Sequence, residues 1–156
     1  MIFSHEWVQV GDGEIWAQEL SLDLSEAIGE PFMLFASDEC PYSAQAAAPT
    51  EWENGTVLRY GSDAPFVQRL NSGKLFLTWS PIPNNNYVVI GAVADSIKGP
   101  WKHCEKPVFD KNGGHAMFFT DKDGTLKMCI HCPEKEPFER ALILSVCEEK
   151  GEIVLK

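Results

Sequence analysis

The sequence predicts an all-β domain of repeated antiparallel sheets, on three observations. Helical signals are nearly absent, short β-rich runs alternate with Gly, Pro, Asn and Asp punctuation, and those runs recur in a fixed order. The best helical segment, residues 21–28, is ended at once by Gly29 and Pro31.

The first copy of the repeat has strands over 1–7, 15–21 and 31–35, and no leading strand precedes them. A connection over 36–60 follows, marked as a loop by Pro41, Pro49 and the small residues 46–48, and loops of that length are usually functional or lid-like. The second copy has a leading strand at 64–70, then strands at 75–81, 88–95 and 106–109. The third repeats this at 115–120, 126–132, 141–147 and 151–155. Turn signals, Ser72-Gly73-Lys74 and Asp123-Gly124-Thr125, separate the first two strands of the last two copies. The runs at 15–21, 88–95 and 141–147 combine apolar and small residues, as strands buried between packed sheets do.

Four-stranded antiparallel units recurring at roughly 40 to 50 residues are the signature of propeller blades. Short strands at that spacing also suit a β-sandwich. Read as blades, the chain divides into a headless blade (1–35), a connection (36–60), a blade (61–110) and a last blade (111–156) of one partial domain.

Composition bounds the function. The chain has 156 residues, enough for one domain, and 44% of them are hydrophobic, enough to bury a core. Its 13 basic and 23 acidic residues give a formal charge of −10. Such a surface repels phosphate backbones and anionic lipid, which argues against nucleic-acid and membrane partners and is compatible with a neutral carbohydrate. No apolar run approaches the roughly 20 residues that span a bilayer, and the first residues lack the regions of a signal peptide. The expected location is cytoplasmic, and five cysteines in no regular framework suit a reducing compartment.

Three stretches carry a family resemblance. His5-Glu6-Trp7-Val8-Gln9-Val10 with Asp12-Gly13 and residues 19–24 resembles a mid-propeller blade of family 43 glycoside hydrolases. Asp63-Ala64-Pro65-Phe66, with Ser72-Gly73-Lys74-Leu75 and Thr78-Trp79-Ser80, resembles that family's acid-bearing blade. Gly113-Gly114-His115-Ala116-Met117, with Asp123-Gly124, resembles its final blade with the axial histidine. The stretches fall in the family's order and cover residues 1–146.

The resemblance implies a partial five-bladed β-propeller, of about two and a half to three blades, from the C-terminal part of such an enzyme. The family's members are largely arabinofuranosidases, xylosidases and arabinanases that invert the anomeric centre with three carboxyl groups at the propeller axis. Acid and base must stand roughly 6.5 to 9.5 Å apart to leave room for a water. Carried over, Asp63 matches the general acid, where most members have the longer glutamate. His115 matches the axial histidine, near which a calcium ion or a water often sits. No cofactor is otherwise implied. Glu6 and Trp7 fall on the sugar-binding side, Trp7 as a stacking platform. The base and tuning aspartates have no match here, so the resemblance implies a glycosidase fragment, inactive alone, or a non-catalytic sugar-binding or structural remnant. An incomplete propeller with open strand edges is expected to form a homo-oligomer or to pair with a complementing N-terminal half.

Plainer readings stand beside these. An aspartate before Ala64-Pro65 also suits a turn cap, and a histidine after two glycines suits plain strand entry. Cys129-Ile130-His131-Cys132 has the Cys-x-x-Cys spacing of a zinc site, but three residues of extended strand send the two sulfurs to opposite faces. Gly11-Asp12-Gly13 reads as a hairpin turn rather than a phosphate cradle. Trp16, Trp52, Trp79 and Trp101 read as packing residues.

Overall fold

The structure, a computed structural model, describes residues 1–5, 10–44, 48–52 and 55–156. Its described strands form three antiparallel sheets and a separate hairpin. The first sheet is β1 (Ile2–His5), β2 (Glu14–Leu20) and β3 (Ala27–Ala36), in that order. The hairpin is β4 (Ala48–Trp52) with β5 (Gly55–Arg59). The second sheet runs β6 (Phe66–Arg69), β7 (Leu75–Trp79), β8 (Ile90–Ala94) and β9 (Lys102–His103). The third runs β10 (Gly114–Thr120), β11 (Leu126–Cys132), β12 (Arg140–Glu149) and β13 (Glu152–Leu155). Sequential meanders of four strands, with a three-stranded one before them, are the blades of a partial propeller.

The alternation of side chains across β7 explains how the blades stack. Every residue of β7 is buried. Phe76 faces a core shared with the third sheet, with Phe118, Met128, Ile130 and Val146. Leu77 and Trp79 face the opposite way, into a core with Ile15, Phe35 and Ile90. The period of two thus sends one strand's side chains into both inter-blade cores. Gly91 of β8 completes the fit: a Cβ there would lie 2.3 Å from the Phe76 ring. Among the described residues no helix is long and apolar enough to cross a membrane.

Three local expectations are corrected. Residues 21–26 form a turn and Ala27 and Ile28 open β3, so no helix forms over 21–28. The Ser21 hydroxyl accepts from the amides of Ser25 and Glu26, Asp23 also accepts from Ser25, and Leu24 takes a left-handed φ of 62°. Side chains that capture nearby amides in this way compete with helical hydrogen bonds. The outer strand expected at 106–109 lies earlier, at β9. Pro107 has no amide to donate to a ladder, and Val108 and Phe109 meet Val89 instead, through an isolated bridge. The connection over 36–60 is not a bare loop: besides the hairpin it holds a 3-10 turn (Ser37–Glu39) and a one-turn helix, α1 (Pro41–Ala44).

Candidate functional site

Asp63 and His115 stand where two blades begin. Asp63 lies three residues before β6, and His115 is the second residue of β10. The structure brings them together: His115 Nε2 is 3.8 Å from Asp63 Oδ1, with both side chains partly open to solvent. Glu6 and Trp7 lie outside the described residues.

A residue that the sequence reading did not single out joins the pair. Tyr87, just before β8, donates its hydroxyl to Asp63 Oδ2 at 3.2 Å and lies 2.9 Å from His115 Nδ1. It is 3% exposed. Burial, followed by the Asp63 charge, pushes its phenol well above the ordinary value, so the hydroxyl keeps its proton. The other oxygen, Asp63 Oδ1, accepts the Ala64 amide at 2.8 Å.

Glycines and sheet pairing set this geometry. A Cβ on Gly114 would fall 2.4 Å from the Tyr87 ring, and one on Gly113 would fall 2.6 Å from the His131 carbonyl oxygen. The two glycines therefore allow the start of β10 to close on Tyr87 and β11. The far face of Tyr87 stacks on His131, with centroids 5.4 Å apart and ring planes 25° apart. His131 is in turn bound by Glu134. Ser80, at the end of β7, ties the halves together: its amide bonds to the Asp63 carbonyl and its Oγ accepts the His115 amide at 3.0 Å.

The backbone is strained at His115 and at the residue after Asp63. Ala64 has φ 47° and His115 has φ 59°, the left-handed region that costs a side-chain-bearing residue about 1 kcal/mol or more. At His115 the β10–β11 register also slips, between Gly114 and Met117. Such bulges re-aim a side chain and concentrate beside active sites. The strain therefore marks the same place as the side-chain chemistry.

Calcium takes six to eight oxygen ligands. Among the described residues no group of three or more His, Cys, Asp or Glu side chains gathers to hold a metal. Asp63, Tyr87 and the Ser80 hydroxyl place oxygens beside His115. Cys129 and Cys132 both lie on β11, where Cys132 packs with Met128 and Ile130 and Cys129 sits on the alternate face. Cys40 and Cys104 are buried and unpaired.

No family model matches the sequence, and no curated protein matches it. Solved structures do. An endo-arabinase from Bacteroides thetaiotaomicron aligns at 33% identity with a TM-score of 0.86, over 97% of this chain and 52% of that one. A thermostable family-43 glycoside hydrolase aligns at 20% identity and TM-score 0.75, over 99% of this chain and 52% of that one. An α-L-arabinofuranosidase from Lactobacillus brevis aligns at 19% identity and TM-score 0.69, over 97% and 49% respectively. The fold is thus that of a partial propeller like those of these enzymes. More narrowly, the fold is that of part of a family-43 glycoside hydrolase, and the chain spans about half the length of the structures it matches.

Proposed function

We propose that this chain carries the proton-donor side of an inverting glycosidase for arabinofuranosyl- or xylosyl-containing glycans, and that it is inactive alone. The observation that carries the reading is the meeting of Asp63, Tyr87 and His115 at the strand starts of two adjacent blades. Asp63 is the general acid, protonating the glycosidic oxygen as the bond to the anomeric carbon breaks. His115 lines the same site, and the family resemblance assigns Glu6 and Trp7 to the sugar, Trp7 as a stacking platform. Inversion also needs a carboxylate to activate water from the opposite face of the sugar ring. The residues resembling that base have no match in this sequence, so the acid lacks its counterpart.

The test is hydrolysis of nitrophenyl α-L-arabinofuranoside and β-D-xyloside by the purified chain, beside titration with arabino- and xylo-oligosaccharides. Expected are no nitrophenol release and a measurable perturbation of the His115 resonances by oligosaccharide. Turnover that Asp63→Asn abolishes would overturn the inactivity. A chain that binds neither sugar would overturn the carbohydrate assignment.

A partner belongs to this reading. The first sheet has three strands where the other two have four, and β1 ends it with no paired strand on its outer edge among the described residues. An open edge beside apolar surface recruits another strand. The chain is proposed to form a homo-oligomer or to join a chain holding the first blades. Elution as a monomer at micromolar concentration would count against the homo-oligomer.

A further inference from the structure

We propose that Tyr87 is a positioning residue that fixes His115 in its Nδ1–H tautomer, leaving Nε2 as a bare lone pair facing Asp63. This rests on the reading of Asp63 and His115 as the functional pair.

The Tyr87 hydroxyl has one proton and two acceptors competing for it, Asp63 Oδ2 at 3.2 Å and His115 Nδ1 at 2.9 Å, while the Ser80 hydroxyl faces the phenolic oxygen as a donor. In the form of the site in which Asp63 has given up the proton it would deliver as general acid, its carboxylate can only accept, and a hydrogen bond to a charged acceptor is roughly twice as strong as one between neutral groups. The hydroxyl therefore gives its proton to Asp63. The contact with Nδ1 can then be a hydrogen bond only if Nδ1 carries a proton and the phenolic oxygen accepts it. With Asp63 in its carboxylate form, the opposite assignment would leave two oxygens facing each other at 3.2 Å without a proton between them.

The groups are held so that this choice cannot relax away. The Tyr87 ring is pinned between Gly114 and the stacked His131. His115 is anchored through its amide to Ser80 Oγ, at a bulge with left-handed backbone. With Nδ1 committed, the neutral imidazole presents an acceptor at Nε2. That atom lies 3.8 Å from Asp63 Oδ1, too far for a direct hydrogen bond. Two acceptors face one opening, a geometry completed by a donor such as a hydroxyl or water between them.

Long-range proton–nitrogen correlation spectra of the uniformly nitrogen-15-labelled chain at pH 8 read the tautomer directly. His115→Gln assigns the signals by their disappearance. Expected in the wild type is a protonated Nδ1 and an unprotonated Nε2. Tyr87→Phe, which keeps the ring against Gly114 and His131, is expected to reduce the Nδ1–H form from nearly the whole population to a minority. Asp63→Ala frees the tyrosine proton for Nδ1 and is expected to move the balance the same way, so it decides the matter should Tyr87→Phe fail to fold. A wild-type Nε2–H tautomer, or a tautomer unchanged in the folded variants, overturns the proposal. The measurement needs neither turnover nor sugar, so its failure is distinct from failure of the carbohydrate reading.

Discussion

The hydroxyl of Tyr87 bonds to the carboxylate of Asp63 at 3.2 Å across the width of β7, joining the loop before β8 to the loop before β6. The contact exists because β6 and β8 both flank β7, so the segments leading into them emerge at the same end of the sheet. Its precision depends on Gly114 in the neighbouring blade, which leaves space for the phenol ring.

Gly114→Ala tests that dependence. The added methyl would begin 2.4 Å from a ring carbon of Tyr87, which is buried and stacked on His131 and so cannot simply swing aside. Overpacking of this kind costs about 1–3 kcal/mol. Urea denaturation should show that loss, with His115 resonances displaced in the folded variant. Unchanged stability together with unchanged His115 signals would show that the glycine is not needed for the site.

Asp63 and His115 were legible because each sits at a strand start, beside turn residues that resemble a known pattern. Tyr87, Ser80 and His131 were not, since their partnership arises only from pairing between strands and between blades. A weak signal for Tyr87 existed: an aromatic with a polar tip, entering an apolar strand after Asn84-Asn85-Asn86. The strand order of the last two sheets followed from punctuation and apolar runs. The outer strand of the second sheet was misplaced because Lys106 to Phe109 has strand-like composition, while Pro107 denies it a ladder. Residues 21–28 have helical spacing, but Ser21 and Asp23 spend their oxygens on local amides.

Ala64→Gly addresses the strain beside Asp63. Ala64 holds φ 47°, which glycine adopts without penalty, while glycine adds entropy to the unfolded chain. The first effect is the larger, so the variant should be more stable by about 0.5 kcal/mol. Paired urea titrations of variant and wild type resolve the sign. A variant clearly less stable than wild type would mean that the left-handed turn costs alanine little here.

Phe35 ties the first two sheets together. It is 2% exposed on β3, with its ring 4.8 Å from Trp79 and 4.8 Å from His103 across the inter-blade core. Truncation removes contacts on both partners and leaves a cavity that rigid strands fill poorly, so Phe35→Ala should cost about 3–5 kcal/mol. Thermal unfolding followed by tryptophan fluorescence would register the change in the Trp79 surroundings as well. A loss below about 1 kcal/mol would show that the first sheet adds little to the stability of the rest.

Asp12 should give the chain a stability that falls as pH rises. Burial first, then the hydrogen bond and charge of Asp38, push its carboxyl up from 3.8 to about 7. Between those values the native state holds a proton that the unfolded chain has released, so raising the pH across that window withdraws stability. Asp12→Asn keeps the shape and removes the charge. It should match the wild type near pH 3.5 and exceed it at pH 8, by about 1 kcal/mol, since the pair is open to water and screening. His103 has the opposite tendency: burial lowers its pKa from 6.5, so the native state resists protonation and stability is lost as pH falls below that value. Because His103 is present in both proteins, its contribution cancels in the difference between wild type and Asp12→Asn. A difference that stays constant from pH 3.5 to 8 would show that Asp12 titrates normally in the folded chain.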